Sequence, residues 1–356
     1  MSDSRAWLLL PLFAALSAAP DARAEATRRL TLELRGDPRG SFAVDNLAGT
    51  LAVRPGSVAT VTVTVTVHAE TEALAEQFRL EQVPGEGDVP TLRVRYPSGE
   101  RRIRYPEAGG GWIAFGRDSL TYDGASVEVS PRRGTLLYAD VEVEVPAEIG
   151  DALFSNRVGS VRAEGVSGGE IVFDTASGPI SIESVKGDVR ADTGSGDVDA
   201  VGLAGRYRCD TGSGDCRLRD FEGAQVECDT GSGQIRVESV RAERVKLDTG
   251  SGDVEASGVV ADRLEVDTGS GHVRVEADGR SLRSVRADTG SGDVRLRLGP
   301  EAAFELRADT GSGRVESGFA DAEPIRRRNE IVGYRRGDAR TTIRVDTGSG
   351  DVRVEP

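Results

Sequence analysis

The pentapeptide Asp-Thr-Gly-Ser-Gly begins at Asp192, Asp210, Asp229, Asp248, Asp267, Asp288, Asp309 and Asp346, and a variant, Asp-Thr-Ala-Ser-Gly, begins at Asp174. Successive starts lie 18, 18, 19, 19, 19, 21, 21 and 37 residues apart. A fixed short period limits the fold more severely than composition does, because each repeat must be one supersecondary unit that buries its apolar side against its neighbours. The residues around the motif sort into columns. One place before the Asp stand Phe173, Ala191, Cys209, Cys228, Leu247, Val266, Ala287, Ala308 and Val345. Six places after it stand Ile180, Val198, Cys216, Ile235, Val254, Val273, Val294, Val315 and Val352. The intervening positions are mostly charged. Alternation with a period of two on both sides of a Gly-containing turn marks two half-buried strands per repeat.

Stacked at about 4.8 Å, such strands fuse their apolar columns into one core. Same-direction strands joined by crossover turns predict an all-β fold, a parallel β-solenoid of coils of about 19 residues, right-handed by the rule for such crossovers. A β-propeller is excluded because its blades need about 40 residues and four strands each. The 45 Gly and 38% hydrophobic residues suit short strands, tight turns and a thin aliphatic core. The final separation of 37 is about two periods and predicts a coil that has lost the motif. Residues at about 318–342, with Arg326-Arg327-Arg328 and Arg335-Arg336, read as a hairpin or loop insertion there.

Three regions follow. Residues 1–24 read as a signal peptide, with Arg5, an apolar stretch from Ala6 to Ala19, and Ala22-Arg23-Ala24 as a small-x-small site predicting cleavage after Ala24. The mature chain is then expected in the periplasm, at the cell surface or secreted. Residues 25–150 form an N-terminal β region with irregular hairpins and one short helix within 70–79. Val44 to Val53 and Ser155 to Val161 keep the apolar spacing of the repeat, and Val61, Val63, Val65 and Val67 alternate with Thr in a long strand. Residues 151–356 form the regular array, which runs to Glu355-Pro356 with no sorting tail expected after it.

Alternating Val in an N-terminal strand, followed by eight copies of the apolar-x-apolar-Asp-Thr-Gly-Ser-Gly pattern, resembles the bacterial β-strand-repeat family labelled "putative adhesin", a domain of unknown function. The resemblance spans roughly residues 40–356. It implies an exported, non-catalytic solenoid and supplies no ligand or catalytic residue to carry over.

A net charge of −14 repels phosphate backbones and anionic lipid, so nucleic acid and insertion of the mature chain into a membrane are poor expectations. Asp-Thr-Gly-Ser matches the active-site string of pepsin-like proteases, but those bring two Asp together to share one proton. Copies at a constant period stand in a file instead, so no catalytic residue is assigned and the chain is not expected to be an enzyme. The motif residues Asp174, Asp192, Asp210, Asp229, Asp248, Asp267, Asp288, Asp309 and Asp346 are read as structural. Each carboxylate is expected to accept backbone N–H groups two or three residues on, while the two Gly supply positive φ.

No cofactor is required. The alternative is a calcium file of Asp192, Asp197, Asp210, Asp215, Asp248, Asp253, Asp288 and Asp293, since acidic turns of stacked coils can bind that ion. Gln234, His272 and Arg314 interrupt its second column. His68 and His272 are far apart, and no metal or triad role is assigned to them. Cys209 and Cys228 share an inward column, where a disulfide and a pair of stacked small hydrophobes are both open readings. Tyr96, Arg101, Arg102, Arg104, Tyr105 and Trp112, with Phe115, interleave cations and aromatics. They suggest a hairpin capping the first coils or an interaction patch for an envelope or extracellular protein or glycan. Two function classes result: an adhesin-like interaction module, and a structural envelope protein that polymerises through its open coil ends.

Overall fold

A computed structural model describes residues 25–107, 118–328 and 330–356. The signal-peptide reading of residues 1–24 and the residues Trp112 and Phe115 lie outside them. The described chain is all-β and is a parallel β-solenoid of the predicted kind. Strands alternate buried and exposed residues, as in Ile235–Thr249 and Val254–Thr268, each of which runs unbroken from one motif turn to the next. Neighbouring coils pair in strict register, so each column meets itself in the next coil: Ile235 is opposite Val254, Leu247 opposite Val266 and Asp248 opposite Asp267.

The first coil is built from Phe42–Ala48 and Leu51–Pro55, far from the motif array in sequence. These strands lie parallel on Ala152–Val158 and Val161–Glu164, with Asp45 opposite Ser155. The intervening segment covers the open end of the stack. Leu51–Pro55 pairs with Thr135–Val145, which pairs in turn with Thr62–Ala69 and then Ala26–Glu33. Phe42–Ala48 pairs with Pro90–Arg95, which is flanked by Arg79–Pro84. The helix Glu72–Ala75, capped by Thr71, leads to the fully buried Phe78, which plugs the space between these strands. A small second sheet of Arg102–Arg104, Asp118–Tyr122 and Ala125–Ser130 attaches at Thr135 and Leu136.

The far end departs from the sequence-based expectation. No coil at this end has lost its motif. From Ser167 to Arg297 the chain climbs one coil at a time, but the next coil in the sequence, Phe304–Thr310 with Val315–Ser317, does not rest on its predecessor. The Asp346 coil, Thr341–Thr347 with Val352–Glu355, lies between them. Asp288 is opposite Asp346, and Asp309 is opposite Asp346 on its other side. The second strands agree, with Val294 opposite Val352 and Val315 opposite Val352. The connection after Arg297 therefore rises two coil heights, about 9.6 Å. The 37-residue spacing between motifs holds the hairpin of Glu323–Arg327 and Glu330–Arg336 followed by a return into the gap. That hairpin pairs antiparallel with Phe304–Thr310 and covers this end. Among the described residues the stack thus has eleven coils, with a non-repeat cap at each end.

Candidate functional site

The repeated motif places three side-chain files along the solenoid, and the structure redistributes the work expected of them. The turn is closed by Thr, not by Asp. Thr249 is 1% exposed; its Oγ1 accepts the Gly252 N–H at 3.1 Å and donates to the Gly233 carbonyl of the coil below at 2.8 Å. The same pair of bonds recurs at Thr211, Thr230, Thr268, Thr289 and Thr347. A buried hydroxyl that both accepts and donates leaves no polar group orphaned, which a carboxylate, having no proton to give, would not achieve. In the first two coils Asn46 and Asn156 take the Thr position. Asn46 Nδ2 donates to Asn156 Oδ1 at 3.0 Å and Asn156 Nδ2 to the Gly49 carbonyl at 2.8 Å.

The second Gly of the motif is required by close approach rather than by positive φ. A Cβ on Gly252 would lie 1.9 Å from the Gly233 carbonyl oxygen. The positive φ expected at these glycines is found only at Gly178 of the variant motif, at 149°, and at its equivalents Gly49 and Gly159 in the first two coils. In the other copies the reason for Gly is geometric, because coils stacked in register bring one turn's backbone directly onto the next.

The motif Asp side chains face outward on the same strand surface, in one file from Asp174 through Asp192, Asp210, Asp229, Asp248, Asp267, Asp288 and Asp346 to Asp309. Four of the nine take ion pairs in place of turn N–H groups: Arg157–Asp174 at 3.2 Å, Arg190–Asp192 at 2.8 Å, Lys246–Asp248 at 3.5 Å and Arg286–Asp288 at 3.7 Å. Partial burial, and then the charges of Asp248 and Asp210, push the Asp229 carboxyl above its usual range. Asp267 is raised likewise, by burial and then by Asp248 and Asp288.

The column five residues after the motif Asp is a hydrogen-bond ladder. Asp197 Oδ1 accepts the Asp215 N–H at 3.0 Å, Asp215 Oδ1 that of Gln234 at 2.9 Å, and Asp253 Oδ1 that of His272 at 2.8 Å. His272 Nδ1 then accepts from Asp293 at 3.0 Å, Asp293 from Asp351 at 2.9 Å, and Asp351 from Arg314 at 2.8 Å. The order 293, 351, 314 repeats the non-sequential order of the coils. The N–H of Arg314 holds the Asp351 carboxyl below its usual range. The ladder is interrupted at Gln234, whereas His272 Nδ1 takes the acceptor's place. Of the file read for calcium, Asp197, Asp215, Asp253 and Asp293 thus each have an oxygen committed to the next coil. Among the described residues no group of three His, Cys, Asp or Glu is placed to hold a metal ion.

The proposed interaction patch divides. Tyr96 and Tyr105 belong to the interior: the Tyr96 hydroxyl donates to Asn46 Oδ1 at 3.0 Å and its ring lies 4.7 Å from Phe78, while Tyr105 is 2% exposed beside Tyr138. The alternation that carried their cations outward carries the rings inward. Arg101 and Arg102 are exposed at an open hollow of about 670 Å³ with Glu70, Glu100 and Thr135, and Arg104 is half-buried. Arg102 pairs with Glu128 at 3.1 Å.

Cys209 and Cys228 are in-register neighbours, and with Cys216 they are buried free thiols. Burial pushes the Cys209 and Cys216 thiols well above the ordinary range. The Tyr207 hydroxyl, buried beside them, has no hydrogen-bond partner among the described residues.

Two groups had no signal in the sequence. His68 Nδ1 lies 2.7 Å from Glu25, its Nε2 3.1 Å from Asp140, and its ring stacks on Tyr138 at 4.3 Å, pinning the start of the first strand. Asp45 is buried against Arg93 at 2.9 Å, and its carboxyl is raised by burial, partly offset by Arg157 and Arg93. Both depend on partners dozens of residues away. No helix among the described residues is long and apolar enough to cross a membrane.

Residues 188–355 match the family model described as Toastrack DUF4097. The match falls within the repeat array, and the resemblance read from the motif copies holds. A comparison with curated proteins gave no match. Among solved structures the chain is similar to a "putative adhesin" from Parabacteroides distasonis ATCC 8503, at 14% identity over 94% of this chain and 98% of that one, with a TM-score of 0.45. It is also similar to a "putative lipid binding protein" from the same strain (16% identity, 91% of this chain and 96% of that one, TM-score 0.39). A "putative adhesin" from Parabacteroides merdae ATCC 43184 matches at 12% identity over 93% and 95%, with a TM-score of 0.36.

Proposed function

We propose that this chain is an exported, non-catalytic interaction module that presents the side and caps of a stiff ladder to an envelope or extracellular protein or glycan. The observation that carries the reading is the covering of both solenoid ends. The strands Thr135–Val145 and Pro90–Arg95 occupy the first coil's free edges, and Glu330–Arg336 occupies the free edge of Phe304–Thr310. The outermost strand there, Glu323–Arg327, is short and carries Pro324, Arg326 and Arg327, residues that discourage further pairing. This favours a finite unit over the structural protein that polymerises through open ends. The small-x-small site and the apolar stretch before it support export with cleavage after Ala24. The hydrogen-bonded ladder favours a structural role for the second acidic file over calcium.

The test has two parts. N-terminal sequencing of the exported chain should begin at Glu25. The purified mature chain should bind immobilised envelope glycans or proteins saturably while its size distribution shows no open-ended filaments at any concentration. Filament growth with concentration would replace this reading by the polymerising one.

A further inference from the structure

The Asp346 coil occupies a slot whose two walls are both complete before it is reached in the sequence. Its first strand is parallel to Ser284–Thr289 on one side and to Phe304–Thr310 on the other; its second lies between Val294–Arg297 and Val315–Ser317. It enters with a full apolar complement, since Ile343, Val352 and Val354 are each 0% exposed. Thr341 Oγ1 donates to the Leu282 carbonyl at 2.8 Å, and Thr347 Oγ1 to that of Gly292 at 3.1 Å. Every contact is with residues that precede it, so a second copy of the chain offers an identical slot.

The boundary of the removable piece is visible. Arg336 is anchored to its own array: it donates to Asp321 at 2.7 Å and to the Pro300 carbonyl at 2.9 Å, and lies over the Phe319 ring at 4.7 Å. The chain then reverses within Gly337-Asp338-Ala339-Arg340. Glu330–Arg336 runs antiparallel to Phe304–Thr310 on one side, and Thr341–Thr347 parallel to it on the other. The reversal puts Gly337 at φ 61° and Ala339 at φ 53°. The left-handed conformation costs a residue with a Cβ, and a short strained hinge favours exchange of the element it tethers. Straightened, the hinge relieves Ala339 and sends the coil outward.

We propose that the Asp346 coil is exchangeable, leaving its own slot to fill that of a second copy and so forming a closed, reciprocally swapped dimer. The exchange remakes every coil-to-coil contact, and only the two hinges change. It is independent of any ligand, and a closed dimer differs from the open-ended filament of the polymerising reading.

The experiment uses the full mature chain with Arg286→Cys and Arg344→Cys together. These exposed residues are in-register neighbours across the slot, about 4.8 Å apart, which is within disulfide reach. The protein is unfolded, refolded at increasing concentration, oxidised and sized. The expected result is a dimer fraction that grows with refolding concentration, persists on dilution, and runs as a covalent dimer on a non-reducing denaturing gel. A chain that stays monomeric at every concentration, or a dimer that separates in denaturant into internally bridged monomers, overturns the proposal. Ala339→Gly, which removes the hinge strain without touching the slot, should lower the dimer fraction at least about fivefold. An unchanged fraction would count against the hinge as its origin.

Discussion

Between Asp192 and Asp267 the order of coils in space is their order in the chain; beyond Asp288 it is not. Both regions use the same turn sequence and the same inward columns, and the Thr hydroxyl bonds between coils continue through Thr289 and Thr347, while Thr310 of the last coil donates to Gly313 of its own turn. The comparison therefore separates two things that a regular repeat confuses. The motif specifies the shape of a coil and the way any coil seats on another. It does not specify which coil is the neighbour, because every coil presents the same surface. In the array the choice is made by connections too short to skip a level. At the end it is made by a connection that climbs two levels and a hairpin that sends the chain back.

The largest expected effect tests the shared core. Val254→Asp places an unpaired carboxylate at a position 0% exposed and should cost more than about 3 kcal/mol, unfolding the array or lowering its melting temperature drastically. Glu255→Lys, one residue on and outward, loses pairs with Arg236 at 2.6 Å and Arg274 at 3.6 Å, both exposed, and should cost no more than about 1 kcal/mol. Melts of equal magnitude would break the column assignment itself.

Next comes the stacking distance. Gly252→Ala sets a Cβ 1.9 Å from the Gly233 carbonyl oxygen, and Gly350→Ala sets one 1.9 Å from that of Gly292. Both should destabilise by roughly 1–3 kcal/mol, the range for overpacking a tight site. The first should weaken the whole array, the second mainly the inserted coil. Hydrogen exchange resolves the two: Gly350→Ala should speed exchange in residues 341–355 while leaving 235–268 protected. Uniform exchange in both would mean that the inserted coil is not a separable unit.

The division of labour between Thr and Asp gives a smaller effect. Thr249→Val leaves the Gly252 N–H and the Gly233 carbonyl without a partner and should cost about 1–3 kcal/mol. Asp248→Ala loses an exposed pair with Lys246 and also the repulsion of Asp229 and Asp267, so its melting temperature should stay close to that of the parent. A larger loss for Asp248→Ala than for Thr249→Val would return the turn to the carboxylate.

The smallest effect is a matter of sign. The Asp267 pKa is raised in the folded state, so the native protein holds its proton to higher pH than the unfolded chain does. That contribution is fully present below the unfolded carboxylate range and is lost as pH rises through the folded value. Asp267→Asn should therefore melt above the parent at neutral pH, with the gap closing as the pH falls through the raised folded value to about 4, the unfolded carboxylate range. Asp351, whose pKa is lowered, has the opposite sign: its contribution is present at neutral pH and is lost on acidification. Asp351→Asn keeps an acceptor for the Arg314 N–H and should narrow that loss. A pH-independent gap for Asp267→Asn would show that the file is not electrostatically strained.

The sequence by itself determined the coil. Period-two columns around a constant turn allow one kind of packing, and the strands from Ser167 to Arg297 follow from residues within a repeat or one repeat apart. Local chemistry also made the turn legible, although its agent was misread. Asp and Thr are adjacent, and only the direction in which each side chain points decides that the hydroxyl is buried between coils while the carboxylate is outside with Arg190, Lys246 and Arg286. Tertiary structure alone decided the rest. That Asn46 and Asn156 share the Thr file depends on Phe42–Ala48 meeting Ala152–Val158 across about a hundred residues. That Tyr96 and Tyr105 face inward depends on a cap packing over the first coil. That the last coil in sequence is the last but one in space depends on a slot. The reason is the same in each case: a repeat encodes a seat that any equivalent coil fits, and occupancy is settled by chain length, strand direction and what covers the ends.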